Sequence, residues 1–162
     1  MEENYFKKSV LIGFTFLMGM IMTILPFPTW TIWYQPSWVF MILVFWISTT
    51  PYQVGIGTAF TVGLFLDLLK ENVLGRHALA FTCLSYFFIR FQLFTYSSAI
   101  WQQIILVLIG TTINCIFQYW IVVITDSAVL TGKYWMSIIS TTLFWPSLRF
   151  LLNNYQHRFK LD

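Results

Sequence analysis

Few side chains able to do acid–base or metal chemistry fall inside the apolar runs of this chain, and Asp67 stands out among them. Within one helical turn or one short loop of it lie Lys70, Glu71, Arg76 and His77. An ionisable group near the end of a membrane helix must be paired, neutralised or reached by water. Two arrangements fit. In one, Asp67, Lys70, Arg76 and His77 form a salt-bridge cluster that fixes a loop, with Gly75 supplying a positive-φ conformation after the helix. In the other, Asp67 and His77 form a proton or substrate site, but no second intramembrane acid and no relay of ionisable residues supports them. Cys83 and Cys115 sit in apolar runs without C-x-x-C or Cys/His ligand spacing, so they read as small hydrophobes, and no metal or other cofactor is expected. G-x-S-x-G, H-E-x-x-H and P-loop patterns are absent. The chain does not read as an enzyme.

The elements that must position these residues are oily. Of 162 residues, 58% are hydrophobic and 9% charged, against about 25% charged in soluble domains; the mean hydropathy is +0.72. At about 20 residues per crossing, the length accommodates five or six membrane helices and short turns. Six runs are readable: Ser9 to Phe27, Pro36 to Thr50, Val54 to Leu69, His77 to Phe94, Ile100 to Thr125 and Tyr134 to Leu152. The predicted fold is therefore all-α, a polytopic transmembrane bundle of about six helices forming one integral membrane domain over residues 1–162.

The first run follows Lys7 and Lys8 as a secretory signal would, but it is long and ends in Pro26, Phe27 and Pro28 without a cleavage pattern, which favours a retained helix. The second run is the weakest. Pro36 and Pro51 bracket it closely, so it extends through Trp30, Ile32 and Trp33, or pairs with the third as a re-entrant hairpin buried in protein. Six crossings place Lys7, Lys8, Arg90, Arg149, Arg158 and Lys160 on one side and Lys70, Arg76 and Lys133 on the other. The bias fits cytoplasmic termini. Trp30, Trp33, Tyr34, Trp38, Tyr96, Trp101, Tyr134 and Trp135 fall near run ends, where their rings suit the headgroup level. In the last run, Pro146 removes a backbone donor beside bulky Trp145, and Arg149 is placed to snorkel. The formal net charge of +3 comes without a Lys/Arg stripe, so no nucleic-acid partner is expected.

In lipid, small residues and hydrogen-bonding side chains mark packed helix faces. Gly55, Ala59, Gly63 and Asp67 follow one another at i+4, as do Gly110, Asn114 and Gln118. Thr15, Gly19 and Thr23 form a third stripe, and Ala78, Thr82, Tyr86 and Arg90 a fourth. Each face serves either packing within the chain, a partner's membrane helix, or a substrate cavity.

The ordered motifs resemble a known family. Gln35-Pro36-Ser37-Trp38 opens the second run and Thr50-Pro51 closes it. GTAFTVGLFLD follows over Gly57 to Asp67, then Val73-Leu74-Gly75-Arg76-His77-Ala78-Leu79, Phe91-Gln92-Leu93-Phe94, Trp101-Gln102-Gln103 and Leu143-Phe144-Trp145-Pro146. This set resembles the rod shape-determining protein MreD family over nearly the whole chain, in the form found in gamma-proteobacteria. Gln35 departs from the Arg that many members carry before the Pro. The resemblance implies a non-catalytic scaffold of the bacterial inner membrane that binds MreC directly. It would share an assembly with MreB, RodA and the elongation transpeptidase, helping position peptidoglycan synthases for rod shape among membrane lipids. It also implies an architecture similar to the substrate-binding subunits of energy-coupling factor transporters. The alternative function is a small-molecule or lipid-precursor binding or transport subunit, with Asp67, Asn114 and Gln118 facing a shared cavity.

Overall fold

The structure, a computed structural model, describes residues 2–26, 34–71, 74–90, 99–125 and 135–158. Those residues form six α-helices and no strand: α1 Glu2–Ile24, α2 Trp38–Thr49, α3 Ile56–Leu69, α4 Arg76–Arg90, α5 Ile100–Thr125 and α6 Met136–Arg158. The fold is all-α, as the runs predict. Trp30, Ile32, Trp33, Val73, Phe91 to Phe94, Tyr96, Lys133, Tyr134 and Lys160 lie outside the described residues, as does the side chain of Arg158. Two described stretches, Phe6–Ile24 and Ile100–Ile121, are long and apolar enough to cross a membrane.

The distribution of polarity is inverted relative to a water-soluble bundle. Asp67, Ser85 and Thr111 are 0% exposed and Gln103 and Asn114 1%, while Phe65, Leu143, Phe150 and Ile124 are 60–83% exposed. Burying amides and a carboxylate while showing Phe and Ile costs free energy in water. It costs little where the surroundings are hydrocarbon.

At the centre lies α2, every residue of which from Val39 to Ser48 is buried. Its 12 residues rise about 18 Å, well short of a hydrocarbon core of about 30 Å. The second run was expected to be the weakest element; it is the axis around which α1, α4, α5 and α6 pack. The reason is its composition: an all-round apolar helix has no face to give to water and is buried on every side. Its short length is tolerated because protein, not lipid, surrounds its ends. At the far end Thr50 returns its N–H to the Trp46 carbonyl, and Val54 donates to the Thr50 carbonyl through the Pro51 turn before α3 begins. α3 packs chiefly on α4 instead of folding back along α2, so the two form no hairpin. α6 continues through Pro146, with Trp145 1% exposed in the core beside it.

Candidate functional site

The α3–α4 pair carries the chain's most concentrated polar site. α3 runs toward Asp67 with Gly63 one turn earlier, and there the two helices touch backbone to backbone. A Cβ on Gly63 would stand 2.4 Å from Ala78 Cα and 2.7 Å from Ala78 N. That approach brings the Asp67 carboxylate onto the first turn of α4. Its Oδ2 accepts the Gly75 N–H at 3.0 Å and the Ala78 N–H at 3.3 Å, and its Oδ1 accepts the His77 N–H at 2.9 Å. His77 Nδ1 lies 2.7 Å from Oδ1. With both oxygens already accepting, Nδ1 carries the proton and donates.

Asp67 is thus a helix cap supplied from another helix. The opening N–H groups of a helix have no partner within it, and the helix dipole favours an anion there. Normally a residue one position before the helix fills this place, but α4 is preceded by Gly75, which has no side chain to offer. Gly75 has φ +99°, a conformation that L side chains resist. The expected positive φ is therefore present but opens α4. The left-handed residue that follows α3 is Glu71, at φ 52°. Lys70, exposed at the end of α3, has its pKa drawn downward by desolvation and then by Arg76, with Asp67 opposing; its exposure keeps the effect small. Of the four members expected in the loop cluster, His77 and Gly75 bond Asp67 directly, and no ion pair from Lys70 or Arg76 to Asp67 is seen among the described residues.

The other stripes part ways. Ala59 is 0% exposed, and Gly63 is consumed against Ala78, so neither is open to a partner helix. Gly55 begins α3 with nothing within 4 Å of a Cβ position. Tyr86 in the fourth stripe is 65% exposed. Gly55 stands just before the helix in extended backbone, and Tyr86 departs because a step of four residues turns about 40° beyond a full helical turn, so a long i+4 series walks off its face. Along α5 the series stays inside. Gly110 receives the Phe88 ring, whose Cε2 and Cζ would lie 2.8 Å from a Cβ, and Gln118 donates to Asn114 Oδ1 at 3.3 Å. Gly19 is met by Ile42 Cδ1, and Thr15 Oγ1 accepts the Trp46 indole N–H at 2.9 Å.

Asn114 and Gln118 face a cavity of about 230 Å³ whose walls also include Lys70 and His77 and residues from all six helices. Asp67, expected beside them, is behind His77 and not in the wall. Gln35, Ser37 and Trp38 complete the wall with Ser137. Gln35 Nε2 donates to the Met22 and Thr23 carbonyls at 3.3 and 3.1 Å, capping the C-terminus of α1, where an Arg would donate equally well. Ser137 Oγ donates to the Gln35 carbonyl at 2.8 Å, and the Ser37 N–H reaches Thr141 Oγ1 at 3.0 Å. The Gln35–Trp38 segment was visible in the sequence only as the opening of a run. Its role depends on contacts more than 100 residues away along the chain.

A bundle that keeps a carboxylate and amides inside and presents hydrocarbon outside is a membrane-associated helical protein, and the carboxylate–imidazole pair seen among the described residues is wired as a helix cap. Residues 5–155 match the family model for rod shape-determining protein MreD, and the chain belongs to that family. A rod shape-determining protein MreD from Haemophilus influenzae is 24% identical over 146 residues, covering 90% of each chain. The family is a shape-determining structural component and not a known enzyme family, which gives this chain a role in cell shape. No solved structure matches the chain, so the expected likeness to energy-coupling factor transporter subunits is unsupported and carries no further argument.

Proposed function

We propose that the chain is a non-catalytic scaffold of the cell-wall elongation complex, lying in the inner membrane as a single domain with six crossings and both termini cytoplasmic. It binds MreC directly and, through that contact, helps hold MreB, RodA and the elongation transpeptidase in one assembly. The observation that carries this reading is the saturation of Asp67: a carboxylate that is 0% exposed and accepts from three backbone amides and an imidazole is a fastening, not a reactive group. What the molecule offers its surroundings is apolar helix surface.

The helix directions support the crossings. Around the cavity, Thr23 of α1 and Leu66 of α3 come from C-terminal ends, and Trp38, His77 and Ser137 come from the N-terminal ends of α2, α4 and α6. Successive helices therefore run in opposite directions. Lys7, Lys8 and Arg90 fall at the opposite helix ends from Lys70 and Arg76, an asymmetry that supports a cytoplasmic side for the first group.

Because Ala59 and Gly63 are packed inside the chain, a partner must meet the exposed faces. A photo-crosslinker in cells at Leu17 or Met18 of α1 and at Leu151 of α6, which are 60%, 46% and 56% exposed, should capture MreC. The same probe at buried Asn114 should not. Failure of every exposed position to capture MreC, in cells where the variants still support rod shape, overturns direct binding.

A further inference from the structure

The cavity at the meeting point of the helix ends is more polar than a packing role requires. Asn114 and Gln118 are 1% and 7% exposed, yet both line this space, with the Gln118 amide donating to Asn114 Oδ1. The Trp38 indole N–H is shielded from the exterior and has no acceptor among the described residues. A buried donor normally finds a partner in the protein or in a molecule held beside it. Lys70 is both a wall residue and exposed, so its ammonium stands between the cavity and the outside. Among the described residues no acidic side chain lines the space, since Asp67 is turned into the amides of α4.

We propose that this cavity binds a compact anionic group bearing hydroxyls or amides, either as the head group of a membrane lipid or as a free solute of the same chemistry. Lys70 meets the negative charge, and Trp38 Nε1 with the Asn114 amide nitrogen supplies directional donors. Gln35 and Ser37 also line the space, and the Gln35 amide oxygen and Ser37 hydroxyl accept from the ligand's hydroxyl or amide. A volume of about 230 Å³ is below the range of about 300–1,000 Å³ that holds drug-sized molecules. It suits a head group the size of glycerol phosphate better than a disaccharide. This inference does not depend on the scaffold reading.

The test uses the purified full chain with three probes: sn-glycerol 3-phosphate in detergent, and nanodiscs of phosphatidylglycerol or of phosphatidylcholine. Binding is read as a rise in the thermal midpoint and as lipid retained in native mass spectra. Stabilisation by glycerol phosphate identifies a solute site; stabilisation by phosphatidylglycerol over phosphatidylcholine, without a response to glycerol phosphate, identifies a head-group site. Lys70→Gln and Trp38→Phe change residues at the cavity wall outside the closest-packed core, and each should weaken the effective probe about tenfold. Lys7→Gln, at the other end of the bundle, should leave binding intact. The proposal is overturned if no probe stabilises the wild-type chain, or if folded Lys70→Gln and Trp38→Phe variants bind as tightly as wild type.

Discussion

Replacing Asp67 by Ala tests the trans cap directly. The substitution strands the N–H groups of Gly75, His77 and Ala78 and the Nδ1 proton of His77, all of which the carboxylate now accepts. Loss of a cap costs about 0.5–2 kcal/mol, and each buried donor left without an acceptor adds about 1–3 kcal/mol where no water replaces it. Partial hydration at the helix end recovers some of that sum, so the expected loss is about 3–5 kcal/mol, the scale for deleting one partner of a buried pair. Asp67→Asn keeps one oxygen for His77 but points an NH2 at two N–H donors, and should lose about 1–3 kcal/mol. Reversible unfolding in mixed detergent gives the magnitudes, and amide hydrogen exchange gives the location. Protection should fall first at residues 75–78, because those amides depend on the missing acceptor. If Asp67→Ala stays within about 0.5 kcal/mol of wild type, the level of an ordinary surface change, and exchange at 75–78 is unaltered, the capping argument is wrong. A chain in which Asp67→Asn left stability intact but abolished rod shape would instead point to proton chemistry at Asp67 and His77.

Further perturbations bear on the helix contacts. Gly63→Ala forces a methyl to within 2.4 Å of Ala78 Cα, a backbone atom that cannot rotate away, so the α3–α4 pair must separate; the expected loss is at least about 1–3 kcal/mol, read as a lower unfolding midpoint. Gly110→Ala meets the far edge of the Phe88 ring, a side chain and not a backbone atom, and should cost less than Gly63→Ala in the same assay. Trp46→Phe removes the donor to Thr15 Oγ1 and part of a fully buried side chain; a loss of about 1–2 kcal/mol is expected, read as a lower unfolding midpoint. Gly75→Ala has no atom to strike but must hold φ +99°, so its cost should be conformational, about 1 kcal/mol, with the Asp67 bonds retained in exchange measurements.

Periodicity and composition alone determine that this chain is helical and at home in lipid. Long apolar runs need internally bonded backbone, and punctuation at Pro36, Pro51 and Gly75 marks helix boundaries through local φ/ψ preferences. The singularity of Asp67 was equally legible, because a carboxylate in such surroundings demands a partner wherever it sits. Its imidazole partner His77 stood among the candidates beside Lys70 and Arg76, since titratable side chains are visible in a sequence. The other donors are the backbone N–H groups of Gly75, His77 and Ala78, which no sequence flags. Of the i+4 stripes, Gly63 and Asn114 lie in the interior while Gly55 and Tyr86 do not, because the face a helix buries depends on its neighbours. Tertiary structure alone decided that α2, the shortest helix, forms the axis. It also decided that Gln35, Ser37 and Trp38 join Asn114 and Gln118 in one cavity wall. Those placements rest on contacts such as Ser37 with Thr141 and Ser137 with Gln35, and pairing over such distances is fixed by how whole helices pack, which no local pattern encodes.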